Sequence, residues 1–578
     1  MLSLSARWTA YATVTSAAVV LIMVFGVGCA SPKGSSAKSA AAAAAAPGAG
    51  NLTDPTPPPP EFRAMFVATA YNLDWPSRPT LHRRVQKDEI NAIVNRAVDL
   101  NCNVIILQVR SFGDRIYRDT ALSSPYTKEP WSMSLNNGFD PDPKAAPDYD
   151  PLKAWINACD DAGLELHAWI NPFRVNRLVS IKQDGEDRYL PVVKHEGQLY
   201  LKPTSKLVQD YVKAVLDDFF VKYPAVSSAV TPGSLAMPTA AMLLQQGEEG
   251  GVDGVIYDHQ IPPDDGPGGP GGGAATGPGT STAPGAGPGS VSSWGEARTD
   301  YFIAKWKTLE HVENDSYVPL DTFIKDSADK VKAYEGEFGY SPSRQEKRAM
   351  AWLTAGHFNY VIPELYNRNT FVQDLKDWLN ANTFVPASGP KPLVVAGLFT
   401  TRVQTPPAND EDPWGASEIR FQIADARSTT VPNGEGAKGQ AHYSGSALRY
   451  PDQAGPGSDD ENLGKKLKAN EYKEPRLAPA SRAPVDNAPD APTNVRKEQD
   501  SNGDWHAKWT PATGGGPSKR KVKRWAVWLH RTTGGPNDWE MLKPISRKTT
   551  SIKVDANVDG IRVKAIDRFN RESAYGKW

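Results

Sequence analysis

From Phe62 onward, short apolar runs rich in β-branched residues alternate with segments whose apolar residues recur at helical spacing. Val104–Arg110 shows the first pattern, and Asp88–Leu100 shows the second. Alternating strand and helix units form parallel sheets. Strands that are apolar at consecutive positions are buried on both faces. The pattern therefore predicts an α/β fold in which a parallel sheet closes into a (β/α)8 barrel, the TIM barrel architecture.

Eight strand segments and seven helices fit this pattern. The predicted strands are Phe62–Tyr71, Val104–Arg110, Leu164–Ile170, Val252–Asp258, Phe338–Pro342, Phe358–Tyr366, Leu393–Thr400 and Gln440–Ala447. The predicted helices are Asp88–Leu100, Leu152–Ala162, Leu207–Tyr223, Thr322–Tyr334, Gln345–Leu353, Phe371–Leu379 and Ile419–Ala426. The fifth strand carries the weakest pattern.

The chain of 578 residues divides into several parts. We predict a signal segment over 1–29, a tether over 30–60, the barrel over 61–450, a linker over 451–489 and a small all-β domain over 490–578. Two low-complexity insertions, near 224–250 and 262–291, interrupt the barrel. The second follows strand four, and its Gly- and Pro-rich composition favours disorder over a mobile flap.

The last segment alternates apolar and polar residues in Trp525–Leu529 and Ile561–Ile566. Together with Trp505–Pro511, these strands resemble a fibronectin type III module, a small β-sandwich.

The N-terminus carries Arg7, an apolar run over Val14–Val27, and then Gly28 followed by Cys29. Such a run is typical of an export signal and is short for a membrane span. A small residue before cysteine resembles a bacterial lipobox, which implies lipidation of Cys29. The alternative is an uncleaved N-terminal anchor. Both alternatives predict an exported protein of the cell envelope, anchored to a membrane.

Charge and cysteine spacing exclude several function classes. The 65 Lys and Arg balance 66 Asp and Glu, so no bulk charge draws the chain to nucleic acid. No Gly-rich phosphate fingerprint follows a strand. Cys102 and Cys159 lack metal-ligand spacing, so we expect no metal and no cofactor. These two cysteines are either buried free thiols or a disulfide.

Three sequence blocks carry a family resemblance. They are Tyr71–Ser77 (YNLDWPS), Leu107–Asp114 (LQVRSFGD) and Leu164–Arg174 (LELHAWINPFR). Over about residues 61–450 the chain resembles bacterial glycoside-hydrolase-like lipoproteins, the family-10-like glycosyl hydrolases. The resemblance implies a barrel that cleaves glycosidic bonds.

Barrel enzymes place reacting groups at the C-terminal ends of their strands. The three blocks place there the predicted substrate-binding residues Asp74, Trp75, Arg110, Asp114, His167, Trp169 and Asn171. Arg110 suits a substrate carboxylate or an internal ion pair with Asp114. His167 suits a sugar hydroxyl or a satisfied core position.

Glycosidic cleavage usually needs two carboxyl groups. Asp258, at the end of strand four, is the first catalytic candidate, and a capping role is its alternative. The resembling family tends to show two adjacent aspartates at this point, whereas this chain has His259 after Asp258. At the end of strand six the family shows Pro-Gln and then Tyr, whereas this chain offers Glu364 before Tyr366. Glu364 is the second candidate, although a surface glutamate there needs no catalytic role. His259 and Tyr366 are predicted to bind substrate.

These residues predict a hydrolase acting on a cell-envelope glycan, either peptidoglycan strands or an exopolysaccharide. The alternative is an inactive carbohydrate-binding or scaffold protein on the same fold.

Overall fold

The computed structural model describes residues 52–79, 81–118, 129–135, 149–195, 197–223, 251–258, 291–312, 315–385, 391–404, 414–448, 462–480, 488–512 and 522–578. The predicted export segment with Cys29, the two insertions up to residue 290, and His259 lie outside these residues. None of the helices within the described ranges combines the length and the apolar character needed to cross a membrane.

The strands, in chain order, are β1 (Phe62–Val67), β2 (Val104–Arg110), β3 (Glu165–Ile170), β4 (Arg174–Val175), β5 (Ser180–Gln183), β6 (Glu186–Tyr189), β7 (Val192–His195), β8 (Gln198–Leu201), β9 (Gly254–Asp258), β10 (Glu337–Ser341), β11 (Tyr360–Val361), β12 (Leu393–Val394), β13 (Ala396–Leu398), β14 (Gly439–His442), β15 (Thr493–Gln499), β16 (Trp505–Thr510), β17 (Arg524–Arg531), β18 (Trp539–Met541), β19 (Ile545–Ser546), β20 (Ser551–Lys553), β21 (Val558–Ile566) and β22 (Gly576–Lys577). The helices are α1 (Arg83–Asp99), α2 (Pro151–Ala162), α3 (Lys206–Lys222), α4 (Val291–Trp306), α5 (Leu320–Ala333), α6 (Lys347–Thr354), α7 (Phe371–Thr383), α8 (Thr401–Gln404), α9 (Ala416–Ser428) and α10 (Leu463–Ala469). Short 3-10 turns cover Ala70–Asn72 and Gly445–Leu448.

The large sheet is parallel throughout and has the order β12-β11-β10-β9-β3-β2-β1-β14-β13. Its two edge strands, β12 and β13, are halves of one segment that is interrupted only at Val395. β12 pairs with β11, and β13 pairs with β14. The sheet is therefore a nearly closed, barrel-like structure, and the chain has a mixed α/β architecture.

Apolar residues pack on both faces of this sheet. The inner cluster contains Phe62, Phe66, Ile106, Trp169, Ile256 and Ile362. The outer cluster lies between the strands and the helices. Helix α1 contributes Ile90, Val94 and Ala97 to this cluster. Burial on both faces explains why the strand sequences are continuously apolar.

The fifth and sixth strands differ from their predictions in opposite ways. β10 pairs with β9 over five residues, so the segment with the weakest pattern is a full strand. The sixth is predicted over Phe358–Tyr366, yet regular pairing ends at Val361. Pro363 lacks a main-chain N–H donor, and beyond it Glu364 forms isolated bridges to Ser343 and Gly397 in place of a regular ladder.

The predicted linker over 451–489 is partly structured. Its described part contains α10, which buries Leu463 and Leu467. Tyr472 is fully buried, and its hydroxyl lies 2.7 Å from Nε2 of His442 on β14. These apolar side chains cover the barrel and explain why this part departs from the prediction.

The C-terminal region is all-β. A three-stranded sheet (β15-β16-β20) and a five-stranded sheet (β17, β18, β19, β21 and β22) are antiparallel. One core cluster joins Ala507 and Trp509 of the first sheet to Trp525, Val527 and Val563 of the second. The strands predicted around Trp505, Trp525 and Ile561 are confirmed as strands.

The C-terminal sheets contact the N-terminal end of the barrel through buried charges. Lys523 Nζ lies 2.8 Å from Asp160 Oδ1 and 3.3 Å from Asp253 Oδ1. Arg524 Nη2 lies 3.3 Å from Glu165 Oε1. The barrel and the all-β region therefore share an ionic junction.

The segment before β1 also contacts the C-terminal sheets. Arg562 Nε donates to Asp54 Oδ1 at 2.9 Å, and the Tyr575 hydroxyl donates to the carbonyl of Pro55 at 3.0 Å. Residues 52–55 of the predicted tether are thus packed against the all-β region.

Cys102 and Cys159 are buried free thiols, so of the two alternatives the disulfide is not formed. Burial raises the pKa of the Cys102 thiol to about 12. Neither thiol is a ready nucleophile at neutral pH.

Candidate functional site

The inward-facing side chains change from apolar to polar at the C-terminal end of the barrel. Trp169, Ile256 and Ile362 belong to the inner apolar cluster. Side chains two residues apart along a strand point to the same face. The next inward positions are those of Asn171, Asp258 and Glu364.

A chain of amide groups orients Asp258. Gln108 Oε1 accepts hydrogen bonds from the main-chain N–H groups of Thr69 at 3.1 Å and Ala70 at 2.9 Å. Its Nε2 therefore points away and donates to Asn171 Oδ1 at 2.8 Å. Asn171 Nδ2 in turn donates to Asp258 Oδ2 at 2.9 Å. Because two main-chain donors fix the Gln108 amide, the direction of every bond in the chain is determined.

Asp258 ends β9 and is only 6% exposed. Its Oδ2 atom accepts a hydrogen bond from the Asn171 amide, which fixes the orientation of the carboxyl group. An ionised, oriented carboxylate is suited to act as a general base or a nucleophile.

Glu364 lies two strands away from Asp258. Asp258 is in register with Ser341 on β10, and Ser343 beyond β10 bridges to Glu364. Two strand spacings place the backbones of Asp258 and Glu364 roughly 10 Å apart. This spacing lets their side chains approach the ~5–10 Å that separates the two carboxyl groups of glycosidases. Glu364 is half-buried, so it is the more accessible acid of the two.

Two tyrosines lie within electrostatic reach of both acids. Burial, followed by the negative charge of Glu364, raises the pKa of Tyr366 well above its ordinary value, and Asp258 adds to the effect. Burial and the charges of Asp74, Glu364 and Asp258 likewise raise the pKa of Tyr443. Both phenols keep their protons at neutral pH and can donate hydrogen bonds.

Aromatic rings surround this acidic pair. The ring of Tyr366 stacks on that of Phe399 with centroids 4.7 Å apart, and Tyr443 lies 6.2 Å from Tyr366. The ring of Trp169 lies 6.3 Å from Tyr443. Its buried indole N–H has no hydrogen-bond acceptor among the described residues. Acids, hydroxyl groups and aromatic faces together suit the recognition of a sugar.

Two predicted binding residues support the loops at this end of the barrel. Asp74 accepts hydrogen bonds from Ala68 N at 2.7 Å and from Ser444 Oγ at 2.8 Å, which joins the ends of β1 and β14. Asp114 accepts hydrogen bonds from Ser111 Oγ and Phe112 N, both at 2.9 Å. Both carboxylates are almost completely buried, so their observed contacts are structural.

The structure does not support substrate binding by Trp75 or Arg110. Trp75 is fully buried against Trp155 and donates its indole N–H to the carbonyl of Gln86. Arg110 is also fully buried, and its Nη2 lies 2.6 Å from Glu129 Oε1. The ion pair predicted with Asp114 is thus formed with Glu129 instead, and a paired, buried guanidinium is not available to a substrate.

His167 lies deeper in the barrel than predicted. Its Nδ1 is 2.7 Å from the hydroxyl of Tyr360, and its Nε2 is 3.1 Å from Glu165 Oε2. Burial lowers the pKa of His167, but the Glu165 hydrogen bond and the charges of Glu337 and Glu165 raise it above its ordinary value. Four residues at ~3.3 Å each separate His167 from Asn171 along the chain. His167 therefore occupies the alternative predicted for it, a satisfied core position.

Glu165, His167 and Glu337 form a buried cluster whose possible ligand atoms lie within 4.8 Å of one another. This spacing would suit a metal ion, but Arg524 already contacts Glu165. A guanidinium from the all-β region provides positive charge at this cluster.

The sequence prediction omitted Gln108, Tyr443 and Phe399, all of which contribute to the candidate site. Gln108 lies within the LQVRSFGD block, where its position at a strand end was the available signal. Phe399 and Tyr443 lie within the seventh and eighth predicted strands, where the sequence offers no comparable block.

Two curated proteins are similar to part of the chain. A segment is 29% identical over 169 residues to the glycosyl hydrolase YngK of Bacillus subtilis (strain 168), covering 28% of this chain and 31% of that protein. Another match is 25% identical over 183 residues to the glycosyl hydrolase DigH of Escherichia coli (strain K12), covering 28% of this chain and 39% of that protein. The chain thus spans about a third of each relative, and over that part it is glycosyl-hydrolase-like.

Among solved structures, the glycoside hydrolase domain of PgaB (BpsB) from Bordetella bronchiseptica aligns with a TM-score of 0.33 and 11% identity, covering 72% of this chain and 99% of that one. A score of this size does not establish a common fold. No protein-family model matches the chain.

Proposed function

We propose that this chain hydrolyses glycosidic bonds in a bacterial cell-envelope glycan, either peptidoglycan strands or an exopolysaccharide. The proposal includes a (β/α)8 barrel of the glycoside hydrolase type, a fibronectin type III-like C-terminal module, and export with anchoring to a membrane through Cys29 or an N-terminal segment. The observation that carries it is the directed amide chain from Gln108 through Asn171 to Asp258 at the C-terminal end of the barrel.

In this proposal the two acids have different roles. Asp258 receives an N–H donor and acts as the ionised base or nucleophile. Glu364, which is half-buried and more accessible than Asp258, protonates the leaving oxygen. Tyr366 and Tyr443 donate hydrogen bonds to sugar hydroxyls. His259, in the segment after β9, also binds the substrate.

The full-length chain and its variants can test this assignment on purified glycan strands and on poly-N-acetylglucosamine. We expect Asp258→Asn to lower reducing-end release by about a thousandfold, within the range that general acid–base groups contribute. The control is Asp161→Asn, because Asp161 is exposed and pairs with Lys548 far from the site. Equal release by the parent and by Asp258→Asn, or no release from the parent, would overturn the proposal.

Aryl glycosides separate the two roles. A phenolate leaving group of low pKa needs little protonation, so Glu364→Gln should keep much more activity on activated aryl glycosides than on glycan strands. Asp258→Asn should lose activity on both. The reverse pattern would exchange the two roles.

A catalytically inactive carbohydrate-binding or scaffold protein is the second candidate. The low exposure of Asp258, 6%, favours it. Binding of glycan strands by the parent without release of reducing ends would establish this candidate instead.

A further inference from the structure

Tyr71 has an unusual backbone conformation and an unusual exposure. It lies in the turn after β1, with a φ of 56° and a ψ of 19°. A non-glycine residue in this left-handed region costs roughly 1–2 kcal/mol. The side chain is nevertheless 56% exposed. Neither feature stabilises the fold, and backbone strain of this kind is concentrated at functional sites.

The ring of Tyr71 is supported from one side. It meets the ring of Phe112 edge-on, with centroids 5.2 Å apart at an angle of 68°. Phe112 is in turn covered by the guanidinium of Arg174, 4.6 Å from its ring centroid. The side chain is thus held in place although more than half of its surface faces solvent.

The turn that carries Tyr71 is fixed to the same side chains that orient Asp258. Gln108 Oε1 accepts hydrogen bonds from the main-chain N–H groups of Thr69 and Ala70, and Gln108 Nε2 donates to Asn171 Oδ1. On the other side of Tyr71, Asn72 Nδ2 donates to the carbonyls of Pro76 at 2.8 Å and Ser134 at 2.9 Å. One hydrogen-bond framework therefore positions both the exposed ring and the carboxylate.

The guanidinium of Arg174 and the two acids influence a common tyrosine. The positive charge of Arg174 acts on Tyr443, on which the charges of Glu364 and Asp258 also act. The Gln108 amide that accepts the N–H of Ala70 leads through Asn171 to Asp258, so the turn carrying Tyr71 lies at the same end of the barrel as the candidate site.

We propose that Tyr71, supported by Phe112, forms a stacking subsite for a pyranose ring of the substrate, next to the sugar cleaved beside Asp258. The apolar face of a pyranose ring packs on an aromatic face, while its hydroxyl groups stay hydrated. This inference rests on the proposed function, because it assumes that the bound polymer is a glycan.

Kinetics on glycan strands give the first test. Tyr71→Ala should raise KM about tenfold, the range of a lost aromatic contact, with most of the effect falling on KM and not on kcat. Tyr71→Trp should restore the KM, because it supplies a larger aromatic face. The matched control is Tyr301→Ala, since Tyr301 on α4 is similarly exposed at 59%. A KM that is unchanged in Tyr71→Ala, or raised equally in the control, overturns the proposal.

Binding separates this proposal from the proposed function. N-acetylglucosamine hexamer titrated into Asp258→Asn and into the double variant Asp258→Asn/Tyr71→Ala measures the subsite without cleavage. We expect about tenfold weaker binding by the double variant even if the parent shows no hydrolysis. Equal affinities, or no binding by either protein, would contradict the proposed stacking subsite.

A stability measurement tests for a merely structural role. Tyr71→Gly should be about as stable as the parent, because the relief of left-handed strain offsets the greater freedom of glycine in the unfolded chain. A clear loss of stability in Tyr71→Gly would show that the ring supports the fold instead.

Discussion

The two ends of the barrel hold buried acids in contrasting ways. At the N-terminal end, Asp253 and Glu165 meet the cationic side chains Lys523 and Arg524 of the all-β region. At the C-terminal end, Asp258 is oriented by the neutral amide of Asn171. A full opposite charge compensates an acid permanently, whereas an amide orients an acid and leaves its charge in place for chemistry. The difference fits the proposal that one end stabilises the fold and that the other carries the reaction.

The pKa of Asp253 reflects the ionic end. Burial raises its pKa, but the charges of Lys523, Arg524 and His167 outweigh this effect and lower the pKa below its ordinary value. Asp253 is therefore ionised at neutral pH, and the junction depends on cations from a distant part of the chain.

The largest effect should follow from removing a cation at the ionic end. Arg524→Met leaves Glu165 buried without this partner, which should cost about 3–5 kcal/mol in the free energy of unfolding. Chemical denaturation followed by tryptophan fluorescence measures the change. Lys548→Met is the control, because the Lys548–Asp161 pair joins the same two regions at an exposed position and should be worth at most ~1 kcal/mol. Equal losses in both variants would contradict the contrast between the ends.

A smaller effect should follow at the other end from Asn171→Ala. Asp258 loses the donor that orients it, so kcat should fall about tenfold to a hundredfold, or ~1.4–2.7 kcal/mol. Asn382→Ala is a matched control, because Asn382 on α7 is a buried asparagine that donates to the carbonyl of Pro392. Both variants should lose similar stability, about 1–2 kcal/mol, but only Asn171→Ala should lose kcat. A fall in kcat in both would mean that the amide chain is only structural.

The smallest effect should appear in the pH dependence of stability. The pKa of His167 is raised in the folded state, so its contribution is fully present below the unfolded pKa of about 6.5 and is lost as pH rises through the folded pKa. The groups facing it are Glu165, Glu337 and Tyr360. The substitution His167→Gln should remove this loss of stability above pH 6.5. Thermal unfolding across that window measures it, with the exposed His82→Gln as control, and parallel curves for the parent and His167→Gln would contradict the assignment.

The sequence predicted the strands well because their signal is local. β2 was predicted at its observed bounds, since an uninterrupted apolar run requires burial on both faces. The end of the sixth strand was not, because pairing beyond Val361 depends on how Pro363 meets its neighbours.

The candidate site was less predictable because it depends on register and on distant partners. Asp258 and Asn171 were assigned to the C-terminal end, and the structure brings them into contact. His167 lies on the same inner face as Asn171 but four residues earlier in the chain. The family block does not indicate how far each of its residues lies from the end of the strand. The partner of Arg110, Glu129, belongs to a segment without periodicity, so the sequence offered no reason to pair them.

The contact between Asp54 and Arg562 gives the molecule a mechanical property. The bond joins residues 508 positions apart, and Lys577 Nζ reaches the same carboxylate at 2.7 Å. Tension that arrives along the chain at Asp54 is therefore carried first by the C-terminal sheets and only afterwards by β1. A pull from the upstream side would detach a peripheral contact before it could separate the first strand of the barrel from its neighbours.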